Sequence, residues 1–258
     1  MLCKDFIEVI EDTYPKSAAE DWDNVGLLIG RMYKEIRKIY VALDATDEVI
    51  DEAIRLKADL LITHHPLIFS PLKQVATEDM IGGRIFRLVQ SDICYYAMHT
   101  NYDVLRMAEL ASKGLGLKNT EVMNVTNEVT GDGIGRVGTL FPPLSVRALA
   151  ELLKKKFELE SVKIYGDLDA MIERVAISPG SGKHMCEDAL SRGAQAFVTA
   201  EIDHHEALDA NAMGMAILDA GHYGLEHIFI EDMVNFLNAN TQGVEIVGDP
   251  LKHPFCVI

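Results

Sequence analysis

Nine histidines stand in this chain of 258 residues, and their placement is uneven. Positions 64, 65, 99, 204, 205, 222 and 227 are histidines at the ends of apolar runs of strand length or at the starts of helical patterns. Strand ends are where α/β sheets put their active sites. In Leu60-Leu-Ile-Thr-His-His-Pro-Leu-Ile-Phe69 a buried strand runs into two adjacent imidazoles. Pro66 then stops strand pairing and holds the residue before it extended. Adjacent residues on extended backbone point to opposite sides, so His64 and His65 could serve two metal ions, or one could bind while the other packs. His99-Thr-Asn-Tyr-Asp103 follows the next strand and adds an imidazole and a carboxylate. In Asp219-Ala-Gly-His-Tyr-Gly-Leu-Glu226, His222 and Glu226 are four residues apart. They share one helix face, a workable spacing for metal ligands. Each motif has a plainer reading: a capped loop histidine for His99, a solvated helix start for His222 and Glu226. Together they supply the imidazoles and carboxylates that suit two divalent ions about 3.5–4 Å apart, bridged by carboxylate oxygens and a water. Zn, Mn or Fe(II) accept such mixed nitrogen and oxygen donors, whereas Mg or Ca prefer oxygen alone.

These residues need strands and helices to hold them. Phe6, Val9, Ile10 and Tyr14 lie at helical spacing, with Pro15 as the stop. Strands are predicted over Ile39–Leu43, Leu60–Thr63, Ile93–Met98 and Glu121–Val125. Helices are predicted over Thr46–Lys57, with Thr46 as N-cap, over Met80–Gln90, and over Val104–Lys113 with a stop at Gly114. Further strands are expected at Arg136–Leu140, Val162–Tyr165, Val175–Ile177, Ala196–Thr199 and Met215–Leu218, and near Val244–Val247. The intervening helices fall on Val146–Phe157, His184–Ser191, His204–Met213 and a long final His222–Asn238. Such alternation indicates an α/β protein with largely parallel sheets. The stretch Thr126–Gly135 is rich in Gly, Asn and Asp and is the best boundary candidate, giving a first unit over 1–125 and a second over 126–258. The segment from about 222 is a candidate to pack back on the first unit. Shifted by 136 residues, Asp51–Thr63 lies over Glu187–Thr199 without a gap, acid on acid and apolar on apolar. Any two helix–strand units share some of this pattern; an internal duplication into two similar three-layer α/β units also accounts for it, and makes a TIM barrel less attractive.

Composition narrows the function. The chain is 48% hydrophobic, which excludes a disordered chain, and its net charge of −16 argues against DNA, RNA or an anionic membrane as partner. No apolar stretch reaches the ~18–20 residues that span a bilayer, and the N-terminus does not read as a signal peptide. Cysteines at 3, 94, 186 and 256 form no CxxC pair, so a reducing, cytoplasmic placement is expected.

Six stretches occur in a fixed order: DWDNVGLLIG, LITHHPLIF, HTNYD, GRVG, TAEIDHHEALDA and DAGHYGLE. In this the chain resembles the Nif-three-like family, also called the dinuclear metal centre hexameric proteins and labelled GTP cyclohydrolase I type 2 homologues. The resemblance runs from about Asp21 to Glu226. It implies two α/β units with a two-metal site in the cleft between them, two divalent ions per chain (Zn, Mn or Fe), and a toroidal homohexamer. It puts the metal ligands on His64, His65, Asp103, His222 and Glu226, with Asp103 and Glu226 as bridges. Ala200 stands where the family has Gly, while Glu201 keeps the acid. His99, Glu201 and His205 are the acid/base or ligand-orienting candidates; His204 and His205 read equally well as a polar helix start. Asp21-Trp-Asp-Asn-Val-Gly26 holds the only Trp and reads as a loop shaped beside the site rather than as chemistry. Pro179-Gly-Ser-Gly-Lys183 is a candidate phosphate cradle or a plain tight turn. Two functions follow: a dinuclear-metal hydrolase acting on GTP or another anionic nucleotide, or a non-catalytic metal-binding scaffold or regulator that works through protein partners.

Overall fold

The computed structural model describes residues 1–256 and 258. Along the chain the strands are β1 (Gly26–Ile29), β2 (Lys38–Ala42), β3 (Leu60–Thr63), β4 (Cys94–Ala97), β5 (Lys118–Val125), β6 (Gly133–Ser145), β7 (Lys163–Tyr165), β8 (Met171–Ser181), β9 (Ala196–Glu201), β10 (Ala216–Asp219) and β11 (Glu245–Gly248). The helices are α1 (Cys3–Thr13), α2 (Asp47–Leu56), α3 (Met80–Gln90), the short α4 (Thr100–Tyr102), α5 (Ala108–Leu115), α6 (Val146–Lys156), α7 (Cys186–Ser191), α8 (His204–Ala212), α9 (His222–Glu226) and α10 (Ile228–Asn240). A π-helical turn, Asp103–Met107, lies between α4 and α5. No helix among the described residues is long and apolar enough to cross a membrane.

The chain divides into two compact units: Met1–Tyr102 with Phe229–Leu251, and Asp103–Ile228 with Lys252–Ile258. The division falls at Tyr102, not after residue 125, because β5 pairs antiparallel with β6 and so belongs to the second sheet. The Gly/Asn/Asp stretch expected to separate the units instead turns that hairpin, with Thr126 and Gly131 amides donating to the Asp132 and Asn127 carbonyls. The return to the first unit begins at Phe229 rather than about 222. The helix expected over His222–Asn238 is accordingly two helices, α9 and α10, parted at His227.

The first unit holds a five-stranded sheet in the order β1-β4-β3-β2-β11. β11, β2, β3 and β4 run parallel and β1 antiparallel to β4. Alternate residues serve opposite faces, as strand geometry requires. Tyr40, Ala42, Leu61, Tyr95 and Ala97 share one face with Val49, Ile50 and Ala53 of α2 and Ile85 and Leu88 of α3. Tyr96 looks the other way, its hydroxyl 3.1 Å from Glu11 of α1. α2 starts where expected: the Thr46 hydroxyl accepts from the Val49 amide, and Asp47 and Glu48 complement the helix dipole.

The second unit holds a six-stranded sheet in the order β5-β6-β8-β9-β10-β7. Its middle strands β8, β9 and β10 are parallel, while β5, β6 and β7 join antiparallel. Both faces are covered. Val175, Ile177, Val198 and Leu218 pack with Leu149, Leu153 and Phe157 of the α6 region. Their neighbours Ala176, Phe197 and Ile217 pack with Ala189 of α7 and Ala207 of α8.

The two sheets repeat one plan: three parallel strands with an antiparallel strand beside the third, β2-β3-β4-β1 in one and β8-β9-β10-β7 in the other. The register matches too. Ile39 faces Leu60 and Ala42 faces Thr63; 136 residues on, Val175 faces Ala196 and Ser178 faces Thr199.

Candidate metal centre

In the first unit the ends of β2, β3 and β4 each deliver polar side chains. β3 and its parallel neighbours are buried, so the chain leaves the sheet at a fixed point, and His64 and His65 follow directly. The turn after them is tied down by two buried hydroxyls. Thr63 Oγ1 lies 2.7 Å from the His65 carbonyl, its one proton shared between that oxygen and the Tyr95 hydroxyl. The Tyr95 hydroxyl lies 2.6 Å from Thr63 Oγ1, accepts from the Leu67 amide at 2.7 Å and donates to the His65 carbonyl at 3.0 Å. Burial pushes this hydroxyl up to about 12, against the lowering pull of its Thr63 and Leu67 bonds, so it stays a neutral donor.

Three imidazoles gather here: His64, His65 and His99 each bring a ring nitrogen within 4.8 Å of the others. Each has its Nδ1 on an oxygen. His64 Nδ1 lies 2.7 Å from the Met98 carbonyl, His65 Nδ1 2.7 Å from Asp44, and His99 Nδ1 2.9 Å from Asp23. A carbonyl or carboxylate oxygen only accepts, so Nδ1 carries the proton in all three rings and Nε2 is the nitrogen each would offer to a metal ion or a proton. Ligating histidines are commonly held this way by an oxygen on the second nitrogen. The Asp23 side chain is fully buried, and it also accepts from the Thr100 amide at 2.9 Å and the Thr100 hydroxyl at 2.5 Å. Burial would raise this carboxyl, but the bonds from His99 and Thr100 outweigh it and hold it down at about 2.

In the second unit Asp103 opens the π-helical turn, a form often found at functional sites. α9 begins after β10 at Gly221, whose φ of +77° suits glycine. His222 and Glu226 share a face as their spacing requires, with His222 Nε2 2.9 Å from Glu226 Oε2. His222 Nδ1 lies 3.4 Å from Glu201 at the end of β9. Asp103 and Glu226 bring carboxylate oxygens within 4.8 Å of each other. The Glu226 side chain is only 2% exposed. A charged carboxylate at that depth is costly unless an opposite charge lies beside it, and a divalent cation would supply one.

Of the expected site residues, His64, His65 and His99 meet in the first unit, and Asp103, Glu201, His222 and Glu226 meet in the second. His205 stands elsewhere, at the exposed start of α8, with the His204 ring 5.3 Å away and its amide on the capping Asp203. The expected phosphate cradle is different in kind. Pro179–Ser181 continue β8, and α7 starts only at Cys186. Gly180 instead makes room for the site: with φ +77°, a Cβ there would lie 2.6 Å from Glu226 Oε1. Asp44 went unnoticed in the sequence although it occupies the same strand-end position as the histidines. Asp23 looked like a loop former and is also the carboxylate that orients His99.

A family model described as Duf34/NIF3 (NGG1p interacting factor 3) matches residues 1–252. A Clostridium perfringens protein named "GTP cyclohydrolase 1 type 2 homolog" is 36% identical over 228 residues, 88% of this chain and 87% of that protein. A protein of the same name from Clostridium acetobutylicum is 34% identical over 226 residues, 86% of this chain and 84% of that protein. Among solved structures, a Bacillus cereus protein related to NIF3 superposes with a TM-score of 0.94 at 26% identity, covering 100% of this chain and 99% of that one. Reduced HcgD from Methanocaldococcus jannaschii superposes with a TM-score of 0.82 at 28% identity, covering 96% and 97%.

Proposed function

The chain belongs to the Duf34/NIF3 family, and from that premise we propose that it is a dinuclear divalent-metal hydrolase acting on a nucleotide. The observation that carries this reading is the meeting of imidazoles and carboxylates, with the His64 and His65 rings each fixed through Nδ1 on an oxygen, the arrangement common for metal-ligating histidines. The proposed ligands are His64, His65, Asp103, His222 and Glu226, with Asp103 and Glu226 as bridges. The donor set is mixed nitrogen and oxygen, which fits Zn, Mn or Fe. Two such ions would supply Lewis acidity and bring the pKa of a water near 7.

The chain's own groups supply the rest. Asp44 and the Met98 carbonyl hold the His65 and His64 rings in place. Glu201 positions His222 through Nδ1. The Asp23–His99 pair has the arrangement of a base and the carboxylate that orients it, so His99 Nε2 is the group to accept and return a proton. The relatives' name points to one reaction, hydrolytic opening of the guanine imidazole ring of GTP with loss of formate. An internal duplication accounts for the repeated four-strand plan, and the resemblance supports a homohexamer. Four cysteines present as free thiols, Cys3, Cys94, Cys186 and Cys256, support a cytoplasmic placement.

Turnover tests the proposal. With Zn, Mn or Fe restored, the full chain should release formate from GTP, and Asp103→Ala or Glu226→Ala should abolish this while the assembly persists. Silence toward GTP, other nucleotides and phosphodiesters with all three metals would defeat the hydrolase and leave the metal-binding scaffold.

A further inference from the structure

Two large aromatic side chains in the first unit stand out in the open. Trp22 is 59% exposed and Phe69 54% exposed. Their ring centroids are 5.7 Å apart with planes tilted by 48°. Exposed aromatics are usually mobile, but the backbone on either side of these two is pinned. Next to Trp22, the Asp23 carboxylate is buried against His99 and Thr100. Asn24 Nδ2 then donates to the carbonyl of Ile68, the residue before Phe69, at 2.5 Å. That bond ties the two aromatic loops together. Both rings also border the histidine cluster: the His99 centroid is 5.9 Å from Trp22 and 6.2 Å from Phe69, edge-on at 76° and 69°.

We propose that Trp22 and Phe69 form a stacking platform for a planar heteroaromatic ring, the base of a nucleotide, beside the histidines. The proposal deepens the nucleotide reading above and rests on it. A nucleobase is favoured over an aliphatic ligand because both residues offer π-faces, and base–aromatic stacking tolerates any base. The electrostatics orient it. Exposed Asp21 adjoins Trp22, and the chain as a whole carries −16, so a phosphate is repelled from the platform. The base therefore sits on the rings, and the phosphates lie toward the cation-binding residues.

Trp22 is the only tryptophan, so its emission reports this place directly. Guanosine, GTP and inorganic triphosphate would each be titrated into the purified full chain. Saturable quenching is expected with guanosine and GTP and none with triphosphate. Phe69→Leu, at an exposed position that tolerates the change, should weaken guanosine roughly 5- to 150-fold, the range for losing one stacking contact, while metal content per chain stays the same. Absence of saturable quenching by guanosine, or equal affinity in Phe69→Leu, would overturn the platform. So would an emission shift that follows protein concentration and ignores guanosine, since a second copy of the chain would then be the occupant. Quenching without turnover would sustain the platform and remove the hydrolase; turnover without quenching would do the reverse.

Discussion

At the scale of single residues, the second nitrogen of each histidine decides what the first can do. Asp23 shows the cost and the return. Burial alone would raise its carboxyl, yet His99 and Thr100 hold it at about 2, below the ~3.9 of an unfolded aspartate. A depressed folded pKa means stability that is present above about pH 4 and lost as pH falls toward 2. Asp23→Asn removes that contribution. The stability gap between wild type and variant should therefore be widest near neutral pH and should close between about pH 4 and 2, read from urea midpoints. A gap constant with pH would speak against the ionised pair. Gly180 makes a second test. Gly180→Ala forces a side chain into a left-handed backbone and against Glu226. It should cost about 1 kcal/mol or more in stability and lower the amount of metal retained after dialysis, whereas unchanged metal retention would separate Gly180 from the site.

At the scale of elements, the turn after β3 places two candidate ligands, and one phenol fastens it. Tyr95→Phe keeps the ring in the core but takes a partner from the Leu67 amide, Thr63 and the His65 carbonyl. Leaving such buried groups unmatched costs about 1–3 kcal/mol, measurable by denaturant unfolding; a neutral effect would mean the turn is held otherwise. Much of this level was legible in the sequence. Apolar runs marked β3 and β4, Thr46 announced α2, and the i,i+4 spacing put His222 and Glu226 on one face of α9. What stayed hidden has physical causes. β1 is an antiparallel edge strand running from Gly26 to Ile29, just before Gly30, outside the alternation of apolar runs and helices that marked the parallel strands. The helical run expected to stop at Gly114 continues to Leu115 and ends at Gly116, which takes the left-handed cap. Periodicity passes smoothly through His227, so the break between α9 and α10 left no pattern. Asp23 and Asp44 sit 76 and 21 residues from the histidines they hold, a distance over which spacing carries no signal.

At the scale of the whole molecule, the chain's path has a consequence for each unit. Phe229–Leu251 belongs to the first unit, where β11 pairs with β2 and Phe229, Met233 and Leu237 are buried. A chain ended at Ile228 should lose the cooperative unfolding of the first unit, seen as lost amide-exchange protection in β2 and β3; retained protection would show that the segment is dispensable. The net charge of −16 weighs against a polyanion wrapping the surface, but it does not weigh equally everywhere. Asp103 and Glu226 are proposed as ligands rather than surface charge, and two divalent ions would add about +4 where a nucleotide's phosphates are expected to arrive. Metal content is therefore the most direct test of the account. The purified, reconstituted chain should hold about two divalent ions, and the His64→Ala/His65→Ala double variant should lose them while its circular dichroism stays that of the wild type. A wild-type chain that holds no stoichiometric Zn, Mn or Fe after reconstitution would contradict it.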